Sequence, residues 1–322
     1  MPGNIKFSES HSRYRQKVEM VRYVLAAAIL KMFSSTPRMR QIYRQIGNAW
    51  GSTGRSGGRM PKFYLDRVHR MLEINKHHRI LKEGTRLLEL GTGWLHWEAL
   101  TCRLFFDVQC TLYDVWDNRQ LSGLKNYISQ LDVMLDELNV PNWQLQRARS
   151  LIHKVLKIED FGEFYNLLGF EYVIADSRGL KQFNDASFDF VVSAGVLEHI
   201  PAETASEIIN DTARILKPGG YSFQDINLRD HLYQYDETVS SKQYLHYSDH
   251  AWKRWFENDV QYINRLQRPE WLRYFEDTGL TLIVEESEIE DLMGLQPDIA
   301  YMQYSNSDRQ CSQLRLLHRK QL

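Results

Sequence analysis

Three cysteines in 322 residues, Cys102, Cys110 and Cys311, are too few and too scattered for a disulfide framework or a zinc motif. A reducing, cytoplasmic setting is the expectation. No apolar run reaches the roughly 18–20 residues that a bilayer span needs. Met1–Ser10 is polar and lacks the apolar centre of a signal peptide. There is also no overall excess of charge, since the formal net value is −1. What is present, 43% hydrophobic and 25% charged residues, suffices for a substantial core in one large domain with additions or in two small ones.

The near-zero net charge conceals an asymmetry. Residues 1–60 hold eleven Lys/Arg against two acids, Glu9 and Glu19. A basic arm of this kind suits an acidic partner such as lipid headgroups, nucleic acid or a phosphorylated substrate. Residues 12–46 read as helical, and Val21–Phe33 is apolar and rich in helix formers. That stretch is expected to pack on the domain or on a second subunit in a homodimer. The alternative is a helix lying on the inner face of a membrane with basic flanks. Pro37 is expected to end or bend it. Gly51–Gly58 lacks the preceding strand and the Lys-Ser/Thr pair of a phosphate loop, so it reads as a flexible hinge. Residues 62–78 read as an amphipathic helix with Leu65, Val68 and Leu72 on one face.

From residue 86 onward strand and helix patterns alternate, which predicts an α/β fold with a mostly parallel sheet covered on both faces. Strands are expected at 86–90, 109–114, 171–175, 188–193, 220–225, 280–285 and 313–318, with helices at 203–216 and 270–277. Residues 118–168 and 226–268 are too long to be simple connections. The second is dense in aromatic and polar side chains and reads as a cap over a substrate site at the carboxyl edge of the strands.

The chemistry concentrates in Arg86-Leu-Leu-Glu-Leu-Gly-Thr-Gly-Trp94. An apolar strand carrying Glu89 runs into a turn, Gly91-Thr92-Gly93, and then a helix. Glycine lets a ligand approach the backbone, and the helix start offers free N–H groups. Asp114 ends the second strand, where a carboxylate can accept from both hydroxyls of a ribose. Asp176-Ser177 ends the third, where an acid can bind the exocyclic amine of an adenine. A dinucleotide fingerprint would want a third glycine where this chain has His96.

With Phe188–Ile200 and Leu216-Lys-Pro-Gly-Gly220, these elements resemble the class I S-adenosylmethionine-dependent methyltransferases, closely over residues 80–225 and more loosely over 270–320. The resemblance implies a seven-stranded doubly wound sheet with its last strand antiparallel, and a methyltransferase domain at 61–322 behind the arm and hinge at 1–60. It implies S-adenosyl-L-methionine as cofactor. The cofactor would be held by the loop Gly91, Thr92 and Gly93, with Glu89 orienting the loop or binding near the amine. Asp114 would hold the ribose, Asp176 and Ser177 the adenine edge, and Ser193 and Ala194 would lie near the sulfonium. Trp94 departs from the small residue of many relatives.

His199, just past the fourth strand, is the first candidate for a base that takes an acceptor's proton. His231, Asp230, His246 and His250 are further candidates. Related enzymes that bind a divalent cation add an earlier acid near Glu198 and His199. Here positions 193–195 are Ser, Ala and Gly, so oxygen ligands are too few and no metal is expected. The polar and aromatic cap suits a sugar or other polyhydroxylated acceptor. Asn227-Leu-Arg-Asp-His231 and Tyr262-Ile-Asn-Arg-Leu266 also resemble methyltransferases found with polysaccharide-assembly enzymes. The leading expectation is O-methylation of a glycan or glycolipid precursor. A small-molecule O- or N-methyltransferase and a cofactor-binding pseudo-enzyme are the alternatives. Nucleic acid is not the expected partner, because the basic arm carries no RNA-binding motif.

Overall fold

The computed structural model describes residues 20–176 and 179–322. Ser177 and the basic residues Lys6, Arg13, Arg15 and Lys17 lie outside them. Helices α1 (Val21–Ser34), α2 (Pro37–Gly57) and α3 (Lys62–His78) lead into β1 (Thr85–Leu90), α4 (Trp97–Phe105) and β2 (Val108–Asp114). Three helices follow, α5 (Leu121–Met134), α6 (Asn142–Val155) and α7 (Phe161–Leu168), and then β3 (Phe170–Ile174). The second half runs β4 (Phe188–Ala194), α8 (Ala202–Ile215), β5 (Leu216–Asn227), α9 (Asp249–Trp255), α10 (Arg268–Glu276), β6 (Thr281–Ile289), α11 (Asn306–Gln310) and β7 (Cys311–Arg319).

The strands form one sheet in the order β3-β2-β1-β4-β5-β7-β6, with β7 antiparallel to both of its neighbours and the rest parallel. All seven expected strands are present. Their apolar runs are continuous because the inner strands are buried on both faces. In β1, Leu87, Leu88 and Leu90 are all buried. One face is covered by α3, α4 and the helices of the 118–168 insertion, around Val68, Leu100, Phe105, Ile128 and Ile152. The other is covered by α8 and α10, around Ile209, Trp271 and Phe275. The chain leaves β1 toward β2 and later returns on the opposite side as β4, so a crevice opens between β1 and β4 at their carboxyl ends.

A third core lies outside the sheet. Tyr23, Ala27 and Leu30, one stripe of α1, pack with Leu232, Tyr244, Trp252 and Phe256 of the 226–268 segment. Polar contacts fix the same joint: the Tyr23 hydroxyl donates to Asp230 Oδ2 at 2.6 Å, and Lys31 Nζ donates to the Lys253 carbonyl at 2.9 Å. Burial pushes the Asp230 carboxyl up to about 6. The first helix of the arm is thus built into the cap. Its opposite face stays open, with Val21, Val24, Leu25, Ile29 and Met32 each 43–59% exposed.

Pro37 stands in the first turn of α2, where its missing N–H costs nothing, and Thr36 Oγ1 caps the helix by accepting from Met39 N at 3.2 Å. The glycine-rich stretch expected as a hinge is helical through Gly57 instead. Contacts to α5 hold it: Arg55 Nη1 donates to Gln120 Oε1 at 2.8 Å, and Asn126 Nδ2 donates to the carbonyls of Arg55 and Gly58 at 2.6 and 2.8 Å. Tertiary packing outweighs the poor helix propensity of its glycines. Among the described residues no helix is long and apolar enough to cross a membrane.

Candidate active site

The turn after β1 is held from below by a buried carboxylate. Glu89 accepts from the backbone N–H groups of Glu98 (3.3 Å) and Ala99 (3.1 Å), in the first turn of α4, and from the Thr92 hydroxyl at 3.0 Å. Burial, and secondly the nearby Glu98, push its pKa well above the usual carboxylate range. Glu89 and Thr92 therefore face inward and brace the loop. Glu89→Ala is expected to cost about 2–3 kcal/mol by stranding these donors, with Glu89→Gln milder. Chemical denaturation measures it.

His96 sits where a third glycine would fit, and its φ is +52°. This left-handed conformation costs an L-residue about 1–2 kcal/mol. Two side-chain contacts offset it, Nδ1 to the Thr92 hydroxyl at 2.7 Å and Nε2 to the Tyr165 hydroxyl at 3.1 Å. Burial takes the His96 pKa down to about 3, so it is a neutral structural residue.

Above the brace, Gly91 and Gly93 have φ of +69° and +59°. A Cβ on Gly91 would lie 2.4 Å from Val196 Cγ2, whereas one on Gly93 would meet nothing nearer than the Gly91 carbonyl at 3.9 Å. The space over Gly93 is thus open for a ligand. Asp114 Oδ2 accepts from Gly93 N at 2.7 Å and Oδ1 from Trp116 N at 3.1 Å, which points the carboxylate at the loop. Burial raises its pKa. Beside it Val115, Trp116 and Ile174 expose apolar surface at 39, 48 and 49%. Three such side chains at the carboxyl edge of β2 and β3 form a platform suited to a flat heterocycle. Asp176, also at this edge, is exposed, and its carbonyl accepts from the Tyr113 hydroxyl.

At the end of β4, Ala194 is half-buried, but Ser193 is fully buried and its hydroxyl donates to Gln224 Oε1 on β5. Ser193 ties two strands together and does not line the crevice as the resemblance implied.

Helix α2 crosses this edge as a strap about 30 Å long. At its start Arg40 pairs with Asp259 at 2.7 Å, and the Tyr43 hydroxyl accepts from Gln261 Nε2 at 2.8 Å, both in the cap. In its middle the Arg44 guanidinium stacks 3.4 Å over Trp116, and near its end Arg55 stacks 3.4 Å over Trp94. None of its residues is fully buried. Trp94 is thereby a support for the strap. No local pattern marks this role for α2, because the contacts join residues 39 to 219 positions apart.

The histidines stand at the other end of the crevice. His199 follows β4 in a short turn, Leu197–His199, and its Nδ1 lies 2.7 Å from the Tyr262 carbonyl. That bond fixes the proton on Nδ1 and leaves Nε2 with a free lone pair. His231 opens the cap with its ring centroid 4.9 Å from that of His199. Both pKa values are lowered, His199 by loss of solvation against a raising bond from Tyr262, and His231 to about 3 by burial and secondly by His199. The His231 ring is neutral at physiological pH. Glu198 beside them is 3% exposed, and burial pushes its carboxyl up to about 8. His246 is exposed and bonds the Gln296 carbonyl, His250 is exposed, and Asp230 is engaged by Tyr23, so these three do not join the cluster.

Three aromatic side chains of the cap are placed differently from the expectation, whereas Tyr235 and Trp255 stay exposed at 40 and 63%. Tyr244, Trp252 and Phe256 are buried in the third core against α1 and offer no face to a ligand. Part of the cap is polar. Gln261 Nε2 donates to the hydroxyls of Tyr43 and Tyr235, each at 2.8 Å, and Gln234 Nε2 donates to Gln261 Oε1 at 3.1 Å.

A family model described as "Methyltransferase domain" matches residues 57–285, more than two-thirds of the chain. No curated protein matches it. Among solved structures, a SAM-dependent methyltransferase from Methanosarcina mazei is 15% identical, with 77% of this chain and 97% of that chain covered and a TM-score of 0.45. Phosphoethanolamine N-methyltransferase 2 of Haemonchus contortus, in complex with S-adenosyl-L-methionine, is 17% identical, with 79% of this chain and 52% of that chain covered and a TM-score of 0.45.

Proposed function

The chain belongs to the methyltransferase-domain family, and from that premise we propose that it is an S-adenosylmethionine-dependent enzyme that methylates a hydroxyl of a sugar-like acceptor. The open space over Gly93 and the carboxylate of Asp114 fit the cofactor. Asp114 would accept from the ribose hydroxyls, and Val115, Trp116 and Ile174 would bear the adenine. When bound, the cofactor supplies a methyl group on a positively charged sulfur, and the protein contributes alignment and exclusion of water. The strap α2 serves the second task by lying over Trp94 and Trp116. His199, with its proton held on Nδ1, offers Nε2 to the acceptor hydroxyl.

The observation that carries the acceptor class is the amide and hydroxyl cluster of Tyr43, Gln234, Tyr235 and Gln261. It adjoins Tyr262, whose carbonyl holds His199, and it offers donors and acceptors to a polyhydroxylated ring. A flat apolar acceptor would call for the aromatic faces that are buried in the third core instead. The exposed apolar face of α1, beside Arg22 and Arg38, favours an acceptor presented at an anionic membrane surface.

Incubation with methyl-tritiated S-adenosylmethionine tests this against three acceptors: a polyisoprenyl-phosphate-linked glycan in anionic vesicles, the free oligosaccharide, and a set of small phenols and amines. Label is expected as a sugar methyl ether, with the vesicle-held glycan the best acceptor. Label on phenols or amines with the sugars unlabelled would overturn the acceptor assignment.

A further inference from the structure

We infer that Glu198, His199 and His231 form a site for one divalent transition-metal cation of the Zn²⁺ or Co²⁺ class. One donor atom from each of the three lies within 4.8 Å of the others, and among the described residues this is the only group of three His, Cys, Asp or Glu side chains so arranged. Donors bound at about 2.0–2.2 Å to a common cation sit roughly 3–4 Å apart, so the group closes around an ion by about an ångström of side-chain movement.

Two further observations point to a ligand. Glu198 Oε2 has no hydrogen-bond partner although the residue is only 3% exposed. An orphaned carboxylate oxygen in the interior costs free energy, and a cation removes that cost. His199 also carries the outer bond typical of a metal-bound imidazole, its Nδ1–H held by the Tyr262 carbonyl at 2.7 Å, which aims Nε2 as a donor. The contact from Asn227 Nδ2 to His231 Nε2 is long, at 3.4 Å, and is readily given up. His199 is exposed and His231 half-buried, so an ion can enter from solvent.

Two imidazoles and one carboxylate select borderline cations over Mg²⁺ and Ca²⁺, which require mainly oxygen donors. The third ligand, His231, comes from the cap and so lies outside the run of residues that follows β4. Three protein ligands leave a coordination position free, the arrangement of a catalytic site. Resting on the methyl-transfer reading above, that position would take the acceptor oxygen. The hydroxyl proton would pass to solvent as the oxygen binds the cation; His199 would be the base only in the metal-free protein, and a ligand once the ion is bound.

The test is calorimetric titration of the metal-stripped full chain with Zn²⁺, and separately with Mg²⁺ and Ca²⁺, for the wild type, His231→Ala and the near-isosteric Glu198→Gln. S-adenosylhomocysteine binding by each serves as the check of folding. The expected result is one Zn²⁺ per chain with a dissociation constant of about a micromolar or tighter. Each variant should bind it at least about 100-fold more weakly while keeping nucleoside binding, and Mg²⁺ and Ca²⁺ should give no site. Nucleoside binding without Zn²⁺ binding, or Zn²⁺ binding unchanged in both variants, would overturn the metal site and leave the methyltransferase reading standing. Zn²⁺ binding lost in the variants, in a chain that binds no S-adenosylhomocysteine, would support the metal site and overturn that reading.

Discussion

Gly93→Ala is expected to bind S-adenosylhomocysteine at least about 30-fold more weakly than the wild type, a loss of about 2 kcal/mol, with little change in the fold. The two glycines of the turn separate cleanly on steric grounds. At Gly93 a methyl group enters open space, with the Gly91 carbonyl its nearest neighbour at 3.9 Å, so the protein alone bears only the strain of φ +59°. That strain is about 1–2 kcal/mol. The same methyl group occupies the room that the cofactor needs. At Gly91 it collides with the protein itself, 2.4 and 2.8 Å from the two methyls of Val196, at φ +69°. Overpacking adds about 1–3 kcal/mol to the strain there. Gly91→Ala is therefore expected to lose about 3 kcal/mol of stability, read by chemical denaturation. Equal destabilisation by both substitutions, or unimpaired binding by Gly93→Ala, would contradict this picture of the loop.

His199→Ala is expected to lose at least about 100-fold in methyl transfer while binding S-adenosylhomocysteine normally. Its ring sits 4.9 Å from that of His231, with Nδ1 spent on the Tyr262 carbonyl and Nε2 free. His199→Gln separates chemistry from loop positioning. A glutamine amide can donate to the same carbonyl but supplies no basic nitrogen, so it should be as inactive as alanine. Recovery of activity in His199→Gln would reduce His199 to a residue that orders the turn. His231→Ala is expected to show the same pattern.

Much of the fold was legible because its signals are local. β1 and β4 are apolar runs bounded by glycine, and their burial between neighbouring strands explains why no alternation was needed. The end of α8 and the start of β5 were marked by Lys217-Pro-Gly-Gly220. What stayed hidden depends on residues far apart in the chain. Gly51–Gly58 has the composition of a joint, yet Gln120 and Asn126 of α5 hold it as helix. Tyr244, Trp252 and Phe256 look like a ligand surface until α1 is placed against them from more than 200 residues away. The donor side of the site was readable because Gly91, Gly93 and Asp114 lie on one strand-turn-helix unit and its neighbour. Ser193 and Thr92 were assigned by position alone, and their side chains turn inward. His231 belongs with Glu198 and His199 through a crossover that no sequence periodicity reveals.

The central claim is that the crevice beyond β1 and β2 holds the methyl donor, and calorimetry with S-adenosylhomocysteine tests it most directly. The wild type should bind one molecule per chain with a dissociation constant of about 1–10 µM. Asp114→Ala and Asp114→Asn should bind at least about 100-fold more weakly, since a carboxylate that accepts two hydroxyls contributes about 1.5–3 kcal/mol through each bond. No binding by the wild type, or undiminished binding by both variants, would contradict it.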